Sequence, residues 1–192
     1  LPALSDTIYL TALKEKYSYQ TTPYVICPLI GEYDAPTKQI QGPCGIDMTH
    51  TGNLMILGQG GSGKENLLTT FIYSIITNHS PSEVNFYIAD FGAETLKVFA
   101  KAPQVGDVFL LDEKDKLNNL VGMLQKELET RKKLFSDYAG NYVDYLKGSN
   151  ETLPLIIVVL NGYEALMETY PSVVDTLTPL FRDSSKYGIT FV

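Results

Sequence analysis

Residues 53–68 read NLMILGQGGSGKENLL: a short apolar run, a glycine-rich turn, then the start of a helical pattern. Gly58, Gly63 and Lys64 fall at the spacing of a phosphate-binding loop, G-x-x-x-x-G-K followed by Ser or Thr. Glycines in such a loop let backbone N–H groups curl around an anion, the helix N-terminus adds positive dipole, and the lysine reaches the outer phosphates. The candidate nucleotide-binding stretch is therefore Gly58, Gly60, Gly61, Ser62, Gly63, Lys64, Glu65 and Asn66. The position that should carry a magnesium-binding hydroxyl carries Glu65 instead. A carboxylate there repels a triphosphate. It also stabilises the first helical turn by roughly 0.3–1 kcal/mol through the dipole, which makes the loop tolerable without its anion. The plain alternative is a chance glycine-rich turn, and a strand before it with a helix after it argues against that.

That context is present in the flanking pattern. Residues 53–57 suit a buried strand, and residues 64–78 a helix with Leu67, Leu68, Phe71, Ile72, Ile75 and Ile76 at helical spacing. A strand at 84–89 closed by Asp90, a short helix at 93–100 and a strand at 105–111 follow. A long amphipathic helix spans 114–138. Residues 155–160 (LIIVVL) are the most strand-like run, and a further strand opens at 189–192. Strands alternating with helices predict an α/β fold: a mainly parallel sheet flanked by helices, with ligands bound at the carboxyl ends of its strands. Ahead of it, Ser5 and Asp6 suit a cap for a helix over 7–14. Residues 24–29 (YVICPL) suit a short edge strand interrupted by Pro28, and residues 31–45 read as turn-rich. We expect one domain over 1–192: a lead-in segment with some β-structure at 1–50, and a nucleotide-fold core at 51–192 truncated inside its last strand.

Composition narrows the function classes. The chain has 192 residues, 44% hydrophobic and 19% charged, with a net charge of −7. Such an acidic balance argues against autonomous DNA binding, which needs a basic surface to displace counterions. Cys27 and Cys44 have no metal-ligand spacing and read as free thiols. No apolar run approaches the length of a membrane span.

A nucleotide-hydrolysing site of this kind needs a second half: an Asp for magnesium, often followed by a Glu to activate water, after a strong apolar strand. Residues 153–166 read LPLIIVVLNGYEAL, which places Asn161 and Gly162 at those two positions. Asn161 can only offer a carbonyl to a hydrated magnesium, and Gly162 offers no base. Glu164 is displaced by two residues and reads as part of the following helix. With Glu65, these changes remove each group that would handle magnesium and water. No catalytic residue and no metal ligand is assigned.

Five segments, LMILGQGGSGKENLL, SEVNFYIADFGAETL, LQKELETRKKLF, LPLIIVVLNGYEAL and SSKYGITFV, resemble in order and spacing the FtsK/SpoIIIE-type ATPases. The lead-in at 29–58, with Gly31, Asp34, Pro36, Gln39 and Gln41, looks like the G-x-x-D-x-P-x-x-Q-x-Q of the type VII secretion ATPases, the EssC, YukB and EccC group. The resemblance covers about residues 20–192. It implies a three-layer P-loop NTPase fold, and a degenerate, C-terminal ATPase domain of a membrane-anchored secretion motor on the cytoplasmic face of the membrane. ATP is the implied cofactor, bound weakly or not at all, and Glu65 weighs against Mg2+. The implied partners are neighbouring ATPase domains of the same chain, secreted protein substrates and other components of the secretion system, with no DNA and no membrane contact except through the parent protein. The alternatives are an active ATP-hydrolysing motor domain and an FtsK-like DNA translocase.

Other polar residues have plainer readings. Asp90, where the family often continues with Pro-Lys, suits a turn or cap. Arg131 suits a structural ion pair rather than an arginine finger. His50 and His79 are isolated and suit loop or cap roles. The 13 tyrosines lack interleaved basic residues and suit core or interface positions.

Overall fold

A computed structural model describes residues 3–192. Helix α1 (Leu10–Lys16) opens it, starting at Tyr9 without a side-chain cap, so Ser5 and Asp6 lie upstream of the helix. Strands β1 (Leu29–Ala35) and β2 (Ile40–Gly45) form an antiparallel hairpin closed by a single helical turn at Pro36–Lys38. This corrects two expectations. The strand placed at 24–29 begins only at Leu29, after Pro28, and the turn-rich stretch 31–45 is itself paired strand. Its glycines serve the packing: a Cβ on Gly42 would lie 2.8 Å from the ring of Tyr33 across the ladder.

The short helix α2 (Met48–Thr51) is capped by the Asp47 carboxylate, which accepts from the Thr49 and His50 N–H groups. Residues 53–57 lead to helix α3 (Lys64–Ile76). Then come β3 (Val84–Asp90), a 3-10 turn at Thr95–Lys101, β4 (Val105–Phe109), and the long helix α4 (Lys114–Leu134). Helix α5 (Tyr142–Gly148), β5 (Leu155–Asn161), α6 (Tyr163–Thr169), α7 (Pro171–Asp183), a 3-10 turn at Ser185–Tyr187 and β6 (Ile189–Phe191) complete the chain.

The four strands β4-β3-β5-β6 lie in that order and every neighbouring pair is parallel. A parallel sheet is covered on both faces, so its inner strands are apolar throughout rather than alternating. Leu155, Ile156, Ile157, Val158 and Val159 of β5 are all buried. On one face Leu68, Phe71, Ile72 and Ile75 of α3 pack on Val84, Phe86, Ile88, Ile157 and Val159. On the other, Leu117, Leu124 and Leu128 of α4 and Leu166, Val173, Leu177 and Leu180 of α6 and α7 pack on Ala89, Ile156, Val158 and Phe191. The three-layer α/β architecture expected from the sequence is present, with the β1–β2 hairpin ahead of it.

Residues 53–57 depart from the expected buried strand. Leu54 and Ile56 pack on the core, but Met55 and Leu57 are 77% and 83% exposed. The run is tied to β6 by the Leu54 N–H to the Phe191 carbonyl, 2.8 Å, and by the Asn53 side chain, which accepts from Phe191 N–H at 2.9 Å. One ladder bond does not make a strand.

Candidate functional site

The link 77–83 returns α3 to the start of β3, and the helix lies along β3 and β5. The N-terminus of α3, with the loop before it, is thereby carried toward the carboxyl ends of these strands. Every residue of 58–66 is exposed. The loop curls on itself: Ser62 N–H donates to the Gln59 carbonyl at 3.2 Å, and the Lys64 ammonium reaches back to the Gly58 carbonyl at 2.5 Å. Glycine suits the loop at three points, Gly61 with φ of +75° among them. A Cβ on Gly58 would sit 2.4 Å from Ser62 Oγ, and Gly63, immediately before the helix, has φ of +87°. No side chain caps α3, so its first N–H groups have no side-chain acceptor, and Glu65 stands in the first turn. A loop that turns a lysine and uncapped helical amides to one side can bind an anion, against the opposing charge of Glu65.

The second group lies at the ends of β3 and β5. Asp90 and Asn161 are register partners there. The Asn161 amide Nδ2 donates to Asp90 Oδ1 at 2.8 Å, and Leu96 N–H donates to Asp90 Oδ2 at 2.9 Å. Asp90 is 1% exposed. Its role is thus the anchoring of the 91–96 turn, as its position at a strand end suggested, together with a bond to Asn161 that the sequence reading missed. The available signal was the matched endings VNFYIAD and LIIVVLN, two strand runs each closed by a short polar residue.

Gly162 has φ of +80°, and a Cβ there would lie 3.0 Å from the Phe91 carbonyl carbon and 3.1 Å from Gly92 N. The glycine permits two backbones to cross. Glu164 is in the first turn of α6 and exposed. Among the described residues no hydrogen bond joins the 58–66 loop to Asp90, Asn161 or Gly162.

Arg131 belongs elsewhere. It is 1% exposed, pairs with Glu127 at 2.8 Å, and donates to the carbonyls of Tyr187, Gly188 and Pro154 at 2.9–3.0 Å. Those carbonyls precede β5 and β6, at the opposite ends of the strands from Asp90 and Asn161. His50 pairs with Asp47 at 2.7 Å, and the buried His79 faces Glu83 at 3.3 Å in the turn after α3. Tyr142 and Tyr145 are core residues around Phe135, and burial pushes the Tyr142 phenol above its usual range.

The family model for FtsK/SpoIIIE matches residues 30–181, most of the chain and both halves of the candidate site. The chain belongs to the FtsK/SpoIIIE family. It is 31% identical to the ESX secretion system protein YukB of Bacillus subtilis over 83% of its own length and 11% of that protein's. It is 30% identical to the EccC protein of Geobacillus thermodenitrificans, over 85% of its own length and 11% of that protein's. This FtsK/SpoIIIE chain thus spans about a tenth of the length of these relatives. Its fold is similar to that of EssC (ATPases 2 and 3) from G. thermodenitrificans, with a TM-score of 0.85, 28% identity, and coverage of 100% of this chain and 36% of that one. It is also similar to Thermomonospora curvata EccC (ATPases 2 and 3) in complex with a signal sequence peptide, with a TM-score of 0.80, 28% identity, and coverage of 88% and 32%.

Proposed function

We propose that this chain is a degenerate ATPase domain of a type VII protein secretion motor, which binds nucleotide weakly or not at all through residues 58–66 and does not hydrolyse it alone. The observation that carries the reading is the Asn161 amide donating to the buried Asp90. At the end of β5, where a hydrolytic site needs an acid facing the phosphates, there is a neutral side chain already engaged by its neighbour. Glu65 and Gly162 support the same reading: one opposes the phosphate charge, and the other offers no base.

The work left to such a domain is regulation, docking on neighbouring ATPase domains of the parent chain, or recognition of a secreted protein. The T. curvata relative complexed with a signal sequence peptide supports the last of these. Among the described residues no helix is long and apolar enough to cross a membrane. On this reading attachment to the cytoplasmic face of the membrane comes through the rest of the parent protein. The net charge of −7 supports a protein rather than a DNA partner.

Calorimetric titration of ATP, with and without magnesium and with Lys64→Ala as control, tests the reading. The expected result is weak binding lost in Lys64→Ala, or none, with no turnover in either protein. Steady-state hydrolysis abolished by Lys64→Ala would sink it.

A further inference from the structure

The buried carboxylate of Asp90 has both oxygens engaged, Oδ2 by Leu96 N–H at 2.9 Å and Oδ1 by the Asn161 amide at 2.8 Å. A carboxylate accepts hydrogen bonds and donates none. The NH2 of Asn161 must therefore face Asp90, and the orientation of that amide is set, with Oδ1 on the side away from Asp90. The buried, unpartnered side-chain polar atom among the described residues is Gln104 Oε1, so Asn161 Oδ1, for which no donor is found, keeps contact with solvent. The turn behind it is close: a Cβ on Gly92 would lie 3.1 Å from Asn161 Nδ2. The fold family implies a divalent metal at this end of the sheet, and Mg2+ in such sites is held through one or two carboxylates together with substrate phosphates, a neutral carbonyl being the weaker ligand. The residues present do not fit one. Position 65 carries, in place of the hydroxyl, a carboxylate whose charge opposes the phosphates the metal would bridge, and position 161 lacks its acid. The acid that exists lies one strand over and is consumed by its own hydrogen bonds.

Resting on the reading of residues 58–66 as a phosphate loop, we propose that Asp90 is the positioning residue of this site. It pins Asn161 with the carbonyl oxygen outward, so that β5 ends in a neutral acceptor and the loop takes a phosphate-bearing ligand free of divalent metal. Exchange of the two side chains then relocates the acid without losing either hydrogen bond. In the double variant Asp90→Asn/Asn161→Asp, the new amide at 90 accepts from Leu96 N–H and donates to the new carboxylate at 161. The second oxygen of that carboxylate faces outward.

The experiment compares wild type, Asp90→Asn, Asn161→Asp and the double variant by thermal unfolding and by ATP titration in EDTA and in magnesium. The Asn161 side-chain amide is followed by NMR in wild type, Asp90→Asn and Lys64→Ala. Both single variants unfold earlier than wild type and the double variant recovers most of the loss. The Asn161 amide signals move in Asp90→Asn and stay in place in Lys64→Ala, a readout that needs no nucleotide. Magnesium changes the response of wild type to ATP by less than about twofold and raises the affinity of the double variant by about tenfold or more. A double variant no more stable than the singles, a folded double variant indifferent to magnesium, or a wild type whose affinity rises about tenfold with magnesium each overturns the proposal. Asn161 amide signals that stay in place in Asp90→Asn overturn the proposal, whereas hydrolysis by wild type, with those signals still moving in Asp90→Asn, would count against the function proposed above, so the two failures are distinguishable.

Discussion

On the proposed reading the glycine at 162 stands where a hydrolytic site would place a water-activating acid, and its replacement gives a sharp test of why it is there. Gly162→Ala adds one methyl at φ of +80°, 3.0–3.1 Å from the backbone of Phe91 and Gly92. The left-handed conformation alone costs about 1 kcal/mol for a residue with a Cβ. Crowding against backbone, which cannot swing away like a side-chain end, adds about 2 kcal/mol. Gly140 is the internal control, with φ of +68° and nothing within 4 Å of its notional Cβ. Gly140→Ala carries only the conformational cost. In a domain of this size each kcal/mol moves the midpoint by about 2–4 °C, so Gly140→Ala should lower Tm by about 2–4 °C and Gly162→Ala by about 6–12 °C. Scanning calorimetry and urea unfolding at matched concentration measure both. Equal shifts for the two variants would refute the close crossing of Gly162 with Phe91–Gly92, and position 162 would then be free to carry an acid.

Arg131→Met removes the guanidinium donor from the carbonyls of Tyr187, Gly188 and Pro154, of which Gly188 keeps the Ile156 N–H, and leaves Glu127 without its partner; it should cost about 3–5 kcal/mol by urea unfolding, and a loss below about 1 kcal/mol contradicts the structural role. Lys64→Ala touches only an exposed loop and should change stability by less than about 0.5 kcal/mol while removing any ATP binding, which separates a ligand role from a folding role. Hydrogen bonds from Lys16 and from the Tyr17 hydroxyl hold the Glu32 carboxyl below its usual range. A carboxyl lowered by folding gives stability that is full above the unfolded pKa of about 4.3 and fades as pH falls through the lower folded value. The stability difference between wild type and Glu32→Gln should therefore be constant near neutrality and shrink below about pH 4; a difference that does not change with pH contradicts the assignment.

Much of the core was legible because period and burial agree there. The helical spacing of Leu68, Phe71, Ile72 and Ile75 and the continuous apolar run of β5 each predict the environment the structure shows. The errors fall where long-range contacts override composition. Residues 31–45 look like turns because of their Gly, Pro and Asp, yet they pair as a hairpin. Tyr33 lies over Gly42, and Glu32 is drawn under α1 by Lys16 and Tyr17. Residues 53–57 look like a central strand because every residue after Asn53 is apolar, yet among the described residues one backbone bond, from Leu54 N–H, and one side-chain bond, to Asn53, join them to β6. The predicted helix over 114–138 stops at Leu134, and the chain then passes through tighter turns (Ser136 N–H to Lys133, Tyr138 N–H to Phe135) to Ala139 and Gly140 at positive φ, a change that period alone does not signal.

The candidate site divides in the same way. The loop at 58–66 is a local pattern, and its curl follows from its own glycines. Asn161 and Gly162 read in sequence as two missing acids, because the residues that give them a purpose, Asp90 to Gly92, lie far away along the chain. The β3–β5 register brings them together, and with it the two absences become two occupied positions: an amide that satisfies a buried carboxylate, and a glycine that lets two backbones cross. An acid at 161 alone would meet Asp90 across a 2.8 Å contact, and a side chain at 162 alone would meet the 91–92 backbone. Recovery of an acid pair thus requires coordinated change on β3, β5 and the turn between Asp90 and Leu96. Single substitutions toward the hydrolytic pattern are expected to lose stability before they gain chemistry, and the proposed metal-free reading of the site rests on that coupling.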